Sequence, residues 1–73
     1  MSDLPIKNKI RECRFFADEM TQQQLADQVD VTRQTIMAIE KGKYSPSLEV
    51  AFKIAHAFGK SLDEVFEYVP EAD

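Results

Sequence analysis

Residues 21–42, TQQQLADQVDVTRQTIMAIEKG, decide how this 73-residue chain folds. Thr21 and Gln24 have the spacing of a capping box, in which a hydroxyl and a side-chain amide satisfy two orphan N–H groups at a helix start. The pattern predicts a helix from Gln22 with Leu25, Ala26 and Val29 on its inward stripe. Ala26 is small, so a second helix can cross close to the first. The pattern breaks at Asp30, and Asp tolerates left-handed backbone better than most non-glycine residues. Val31 plugs the corner. Thr32 then suits the N-cap of a second helix over about 32–41, stopped by Gly42. Ile36 and Ile39 face the first helix and leave Arg33, Gln34 and Met37 on the other side.

Two short helices joined by such a turn have the layout of a helix-turn-helix, in which one helix braces and the next enters the major groove of DNA. The outward residues fit that use. Arg33 can fork onto guanine O6 and N7, Gln34 onto adenine N6 and N7, and Met37 offers apolar contact to a thymine methyl. A helix N-terminus also presents N–H groups and partial positive charge to phosphate oxygens. The competing reading of Arg33 and Gln34 as a solvated face carries less weight because a helix and a turn precede them.

Residues 21–66, TQQQLADQVDVTRQTIMAIEKGKYSPSLEVAFKIAHAFGKSLDEVF, closely resemble the Cro/C1-type, or XRE, helix-turn-helix family of bacterial and phage transcription regulators. The resemblance extends over about residues 8–68. It implies an all-α, five-helix, lambda-repressor-like DNA-binding domain occupying residues 1–73, with the motif at 21–42. It also implies sequence-specific binding of double-stranded DNA, with repression as the expected outcome. Gln22 would touch a phosphate and brace a base-reading side chain. Gln23, Thr32 and Thr35 would touch the DNA backbone, Arg33 and Gln34 would read bases, and Lys41, Lys43 and Tyr44 would lie along phosphates. Two positions depart from the family pattern. Ala38 stands where a third base is often read and offers at most a methyl contact, which shifts weight to Met37; Asp30 stands where the family commonly has glycine.

A net charge of −4 opposes DNA binding if taken alone, so its distribution matters. Lys7, Lys9, Arg11 and Arg14 against Glu12, and Arg33, Lys41 and Lys43 against Glu40, make two cationic stretches. The acids gather at Asp18, Glu19, Asp27 and Asp30, and in the tail at Asp63, Glu64, Glu67, Glu71 and Asp73. Screening over about 8 Å lets such a polarised molecule present a cationic face. One cysteine excludes an intrachain disulfide, and with one histidine beside it there is no metal-ligand spacing. No nucleophile, base and orienter can be assembled, so neither catalysis nor a cofactor, metal or small-molecule substrate is expected. No apolar run approaches the roughly 18 residues of a membrane span, and no signal-peptide core opens the chain; a cytoplasmic protein is expected.

Outside the motif, a first helix is expected from about Lys7 to Phe16, with Ile10, Cys13 and Phe16 or Ala17 facing inward. Cys13 reads as core rather than nucleophile. Arg14 has two readings: an ion pair with Glu40, which the family resemblance suggests, or two separate surface charges. The connection is one residue longer than the family's usual loop, and Phe15, Phe16 and Met20 are expected to fold back onto the core. Ser45 and Pro46 would open a fourth helix to about Phe58, with Leu48, Ala51, Phe52, Ala55 and Phe58 on the inward stripe, Ile54 flanking it and His56 in solvent. Gly59 closes that helix, and Ser61 with Glu64 opens a short fifth ending near Phe66. Strands at 4–7 and 67–69 would form a ribbon for dimerisation, the competing reading being a frayed acidic terminus. A homodimer is expected to read a palindromic operator through two half-sites. The alternative function is a protein-interaction module such as an antitoxin-like partner, with the acidic C-terminal third meeting a basic protein.

Overall fold

The computed structural model describes residues 5–70. In chain order they form β1 (Ile6–Asn8), α1 (Ile10–Phe16), α2 (Gln22–Val29), α3 (Arg33–Glu40), α4 (Leu48–Ala57), α5 (Leu62–Val65) and β2 (Phe66–Tyr68). The motif forms as its local chemistry dictates. Thr21 Oγ1 accepts the Gln24 N–H at 3.0 Å while Gln24 Oε1 accepts the Thr21 N–H at 2.8 Å. Thr32 caps α3 by accepting the Thr35 N–H at 3.2 Å. Between them Asp30 is left-handed, with φ 65° and ψ 44°, and Ala26 O accepts the N–H groups of both Asp30 and Val31. Gly42 and Gly59, at φ +75° and +67°, terminate α3 and α4.

Asp30 holds a backbone conformation that glycine adopts without the Cβ penalty. Asp30→Gly relieves that penalty but enlarges the entropy of the unfolded chain. A net gain of about 0.5 kcal/mol is expected, read as a rise of roughly 2–4 °C in the thermal midpoint. A lowered midpoint would mean that the Asp side chain contributes more than its backbone geometry costs.

The core is apolar throughout. Ile10, Cys13, Leu25, Ala26, Val29, Ile36, Ile39, Ile54, Ala55 and Val65 form one buried cluster, with Met20, Val31, Val50, Ala57, Phe58 and Phe66 packed against it. Among the described residues no polar or charged side chain is buried, and no helix is long and apolar enough to cross a membrane. Burial pushes the Cys13 thiol above its ordinary pKa, against the opposing pull of Lys60. Cys13 is therefore part of the core, as its place on the α1 stripe predicts.

Four expectations are corrected. First, α1 begins at Ile10 rather than Lys7, because Lys7 and Asn8 are drawn into an antiparallel ribbon with β2. Its register is Ile6↔Tyr68, Lys7↔Glu67 and Asn8↔Phe66, and N–H donations from Lys9 to Val65 O at 2.8 Å and from Val69 to Pro5 O at 2.7 Å extend it. The ribbon thus spans 6–8 and 66–68 in place of 4–7 and 67–69; Leu4, and Glu71 and Asp73 of the acidic tail, lie outside the described residues.

Second, Phe15 and Phe16 do not fold inward. They stand 62% and 79% exposed, packed edge to face on each other with ring centroids 5.2 Å apart. Asp18 and Glu19 are both left-handed, at φ 63° and 57°, and turn the chain so sharply that Met20 alone reaches the core from this connection.

Third, α4 starts after Ser47 rather than Ser45: Ser47 Oγ accepts the Val50 N–H at 3.2 Å, and Pro46 precedes the cap. Fourth, α4 is rotated from the expected stripe. Leu48 and Phe52 are 68% and 53% exposed, whereas Ile54, expected at the flank, is fully buried with Ala51 and Ala55 beside it. The two alanines let α4 close onto α2, which places the bulky Leu48 and Phe52 at the rim. His56 is exposed as expected.

At α5, Glu64 Oε1 accepts from the Ser61 N–H at 2.8 Å and from its hydroxyl at 3.1 Å. These bonds hold the Glu64 carboxyl below its usual pKa. A carboxyl depressed by folding stabilises the fold above its unfolded pKa and loses that contribution as pH falls through the folded one. Glu64→Gln keeps an acceptor but cannot titrate, so between pH 6 and 3, a span bracketing the unperturbed Glu value of about 4.3, the thermal midpoint should fall less in the variant than in the wild type. Parallel curves would show that the box has no electrostatic share in stability.

Candidate nucleic-acid interface

Helix ends set the electrostatics of this face. Helices α1, α4 and α5 each carry an acidic residue in the first turn, namely Glu12, Glu49, and Asp63 with Glu64. Helices α2 and α3 carry none. Their N-termini keep the partial positive charge and outward N–H groups that phosphate oxygens seek.

Arg33 and Gln34 occupy the first two positions of α3 and are exposed. Neither side chain makes a hydrogen bond or ion pair within the described residues. Met37, one turn on, is half-buried. Alongside α3 runs a cleft of about 660 Å³ whose lining includes Arg11, Gln22, Gln23, Arg33, Met37 and Lys41. The expected contacts Gln22, Gln23, Arg33, Met37 and Lys41 thus share one groove. Gln34, Thr32, Thr35, Lys43 and Tyr44 do not line it. Gln34, Thr32, Lys43 and Tyr44 are exposed, and Thr35 is half-buried, its hydroxyl 3.0 Å from that of Thr32.

A polar network underlies the groove. Arg14 Nε donates to Glu40 Oε2 at 2.8 Å and Nη2 donates to Oε1 at 3.3 Å, a forked pair, while Nη1 donates to Met20 O at 3.0 Å. Of the two readings of Arg14, the ion pair is the one that forms. Gln22 Nε2 also donates to Glu40 Oε1, at 3.1 Å. The Gln22 amide is therefore turned toward the network as well as lining the groove, while Gln23 Nε2 donates to Asp27 Oδ1 at 2.9 Å.

The sequence marks Arg11 only as part of a basic stretch. Its position three residues before Arg14 puts both on one face of α1, and the Arg14–Glu40 pair aims that face at α3. Arg11→Ala is expected to weaken binding to every duplex sequence alike and to reduce the slope of log affinity against log salt by about one unit. An unchanged slope would remove Arg11 from the DNA contact.

Comparison with known proteins identifies the family. The family model described as Helix-turn-helix matches residues 10–65. An uncharacterized HTH-type transcriptional regulator of Methanocaldococcus jannaschii, MJ0272, is 51% identical over 63 residues, covering 86% of this chain and 94% of the relative. The HTH-type transcriptional regulator YgzD of Bacillus subtilis is 48% identical over 61 residues, covering 84% and 91%. Among solved structures, the clp gene regulator ClgR from Corynebacterium glutamicum superposes with a TM-score of 0.68 at 25% identity, over 75% of this chain and 57% of that longer one. The fold and the exposed α3 define a DNA-binding module of transcription regulators. The chain belongs to the helix-turn-helix family, in its XRE or Cro/C1 branch.

Proposed function

We propose that this protein is a homodimeric cytoplasmic repressor, without catalytic activity, that reads a palindromic operator by inserting α3 into the major groove of each half-site. Arg33 and Gln34 read base edges, Met37 adds an apolar edge, and Arg11, Gln23, Thr32, Lys41, Lys43 and Tyr44 hold phosphates. The observation that carries this reading is the pair of uncommitted side chains at the acid-free N-terminus of α3. Repression is supported by similarity to the cryptic phage CTXphi transcriptional repressor RstR of Vibrio cholerae, 36% identical over 58 residues, 80% of this chain and 51% of the relative.

Two-fold pairing is supported by the ribbon. Tyr68 and Val69 are exposed on and just beyond β2, whose outer edge pairs with no further strand among the described residues. Selection of bound sites from a random duplex pool tests both parts. The expected product is a two-fold symmetric motif with half-site centres about 10–10.5 base pairs apart, or a multiple of that. An asymmetric motif would contradict the dimer, and absence of any motif would contradict sequence-specific reading.

A further inference from the structure

We infer that Asn8 is a positioning residue for the recognition helix, clamping the C-terminal end of α3 to the terminal ribbon; this rests on the DNA-reading function proposed above. Asn8 Nδ2 donates to Ile39 O at 2.9 Å, and Asn8 Oδ1 accepts the Ile10 N–H at 3.2 Å. Its own backbone pairs with Phe66 across the ribbon. One planar amide therefore joins β1, the start of α1 and the end of α3.

Ile39 O lies in the last turn of α3, where carbonyls lack helical partners. It accepts the Gly42 N–H at 3.0 Å, and Asn8 uses its remaining acceptor capacity. The next residue, Glu40, is gripped through its side chain by Arg14. Asn8 and Arg14 bracket α1, so two successive residues of α3 are held from opposite ends of that helix. Ile36 and Ile39 seat α3 in the core without directional bonds, and one grip through two long side chains leaves it some freedom to pivot. A second grip on a backbone atom opposes that pivoting.

Leverage makes this matter for reading. An eight-residue helix is about 12 Å long, so a 10° tilt about its pinned end would carry Arg33 and Gln34 by about 2 Å. Forked hydrogen bonds to a base hold only over 2.7–3.2 Å. Asparagine suits the position because it supplies donor and acceptor from one rigid group. Aspartate would keep the acceptor for Ile10 and set a carboxylate oxygen against the Ile39 carbonyl.

The test uses the full chain and the variants Asn8→Asp and Asn8→Ala, well below their thermal midpoints. Residual dipolar couplings of backbone amides, measured without DNA, report the orientation of α3 relative to α2. Affinities for the selected operator and for a random duplex give a ratio that the added charge of Asn8→Asp does not bias. In both variants α3 should reorient, and the ratio should fall about tenfold, within the contribution of one forked base contact. An unmoved α3, or a ratio within about twofold of wild type beside a lowered midpoint, would overturn the clamp and leave Asn8 a stabilising residue only. A wild-type chain with no preferred operator would defeat the DNA-reading function instead, and the couplings would still decide whether Asn8 orients α3.

Discussion

Arg14→Ala is expected to destabilise the fold by about 2–3 kcal/mol, a fall of roughly 10–20 °C in the thermal midpoint for a domain of this size. The Arg14 and Glu40 side chains are only 17% and 11% exposed. Removing the guanidinium deletes both forked bonds and the donation to Met20 O, and leaves the Glu40 carboxylate with Gln22 Nε2 at 3.1 Å. The cost is that of a shielded charge losing its partner, reduced because water still reaches the pair. Arg14→Ala combined with Glu40→Ala should therefore cost less than the two single changes together, with a coupling of about 1–2 kcal/mol. Denaturant titration of the four proteins measures it, and additive losses would mean the pair contributes little to stability. Arg14→Lys should recover only part, because an ammonium cannot engage both carboxylate oxygens as the fork does.

For DNA reading the largest loss is expected at Arg33. Arg33→Ala should cost roughly 1–3 kcal/mol on the selected operator, about 5- to 150-fold in affinity, and relax preference at one base pair in each half-site. Stability should hardly change, since the side chain is exposed and makes no hydrogen bond or ion pair within the described residues. Competition binding with single-base-pair operator variants separates the roles. An equal loss on random DNA would reassign Arg33 to a phosphate.

Much of the fold was legible because its signals act within one helical turn. The Thr21–Gln24 and Ser61–Glu64 boxes, the Thr32 cap, left-handed Asp30 and the stops at Gly42 and Gly59 are all choices a residue makes with near neighbours. The features that depart from the local patterns depend on partners remote in sequence. The start of α1 is fixed by a ladder to β2 at the far end of the chain, which local propensity at Lys7 and Asn8 does not show. Apolar residues surround enough of α4 to allow two stripes, and only the approach of α2 over Ala51 and Ala55 selects the one that leaves Leu48 and Phe52 outside. Phe15 and Phe16 read as core by composition, but two successive left-handed residues, neither glycine, carry the chain away from them.

Within the candidate site, the exposure of Arg33 and Gln34 followed from the amphipathic pattern of α3. The placement of Arg11 in the groove, the turning of Gln22 toward Glu40 and the reach of Asn8 to Ile39 did not, because each joins elements whose mutual orientation no local pattern states. Polar side chains between helices carry no periodic signature, unlike the apolar stripes that bury them.

The claim on which the account rests is that the front of α3 is the surface that meets bases. Titrating isotope-labelled protein with its selected operator, and following backbone and side-chain amide resonances, tests it directly. The largest shifts are expected from Thr32 to Met37, with a second group at Gln22, Gln23 and Lys41 to Tyr44, while Phe52 and His56 on α4 stay unmoved. Shifts centred on Phe52 and His56 with Arg33 and Gln34 silent would contradict it.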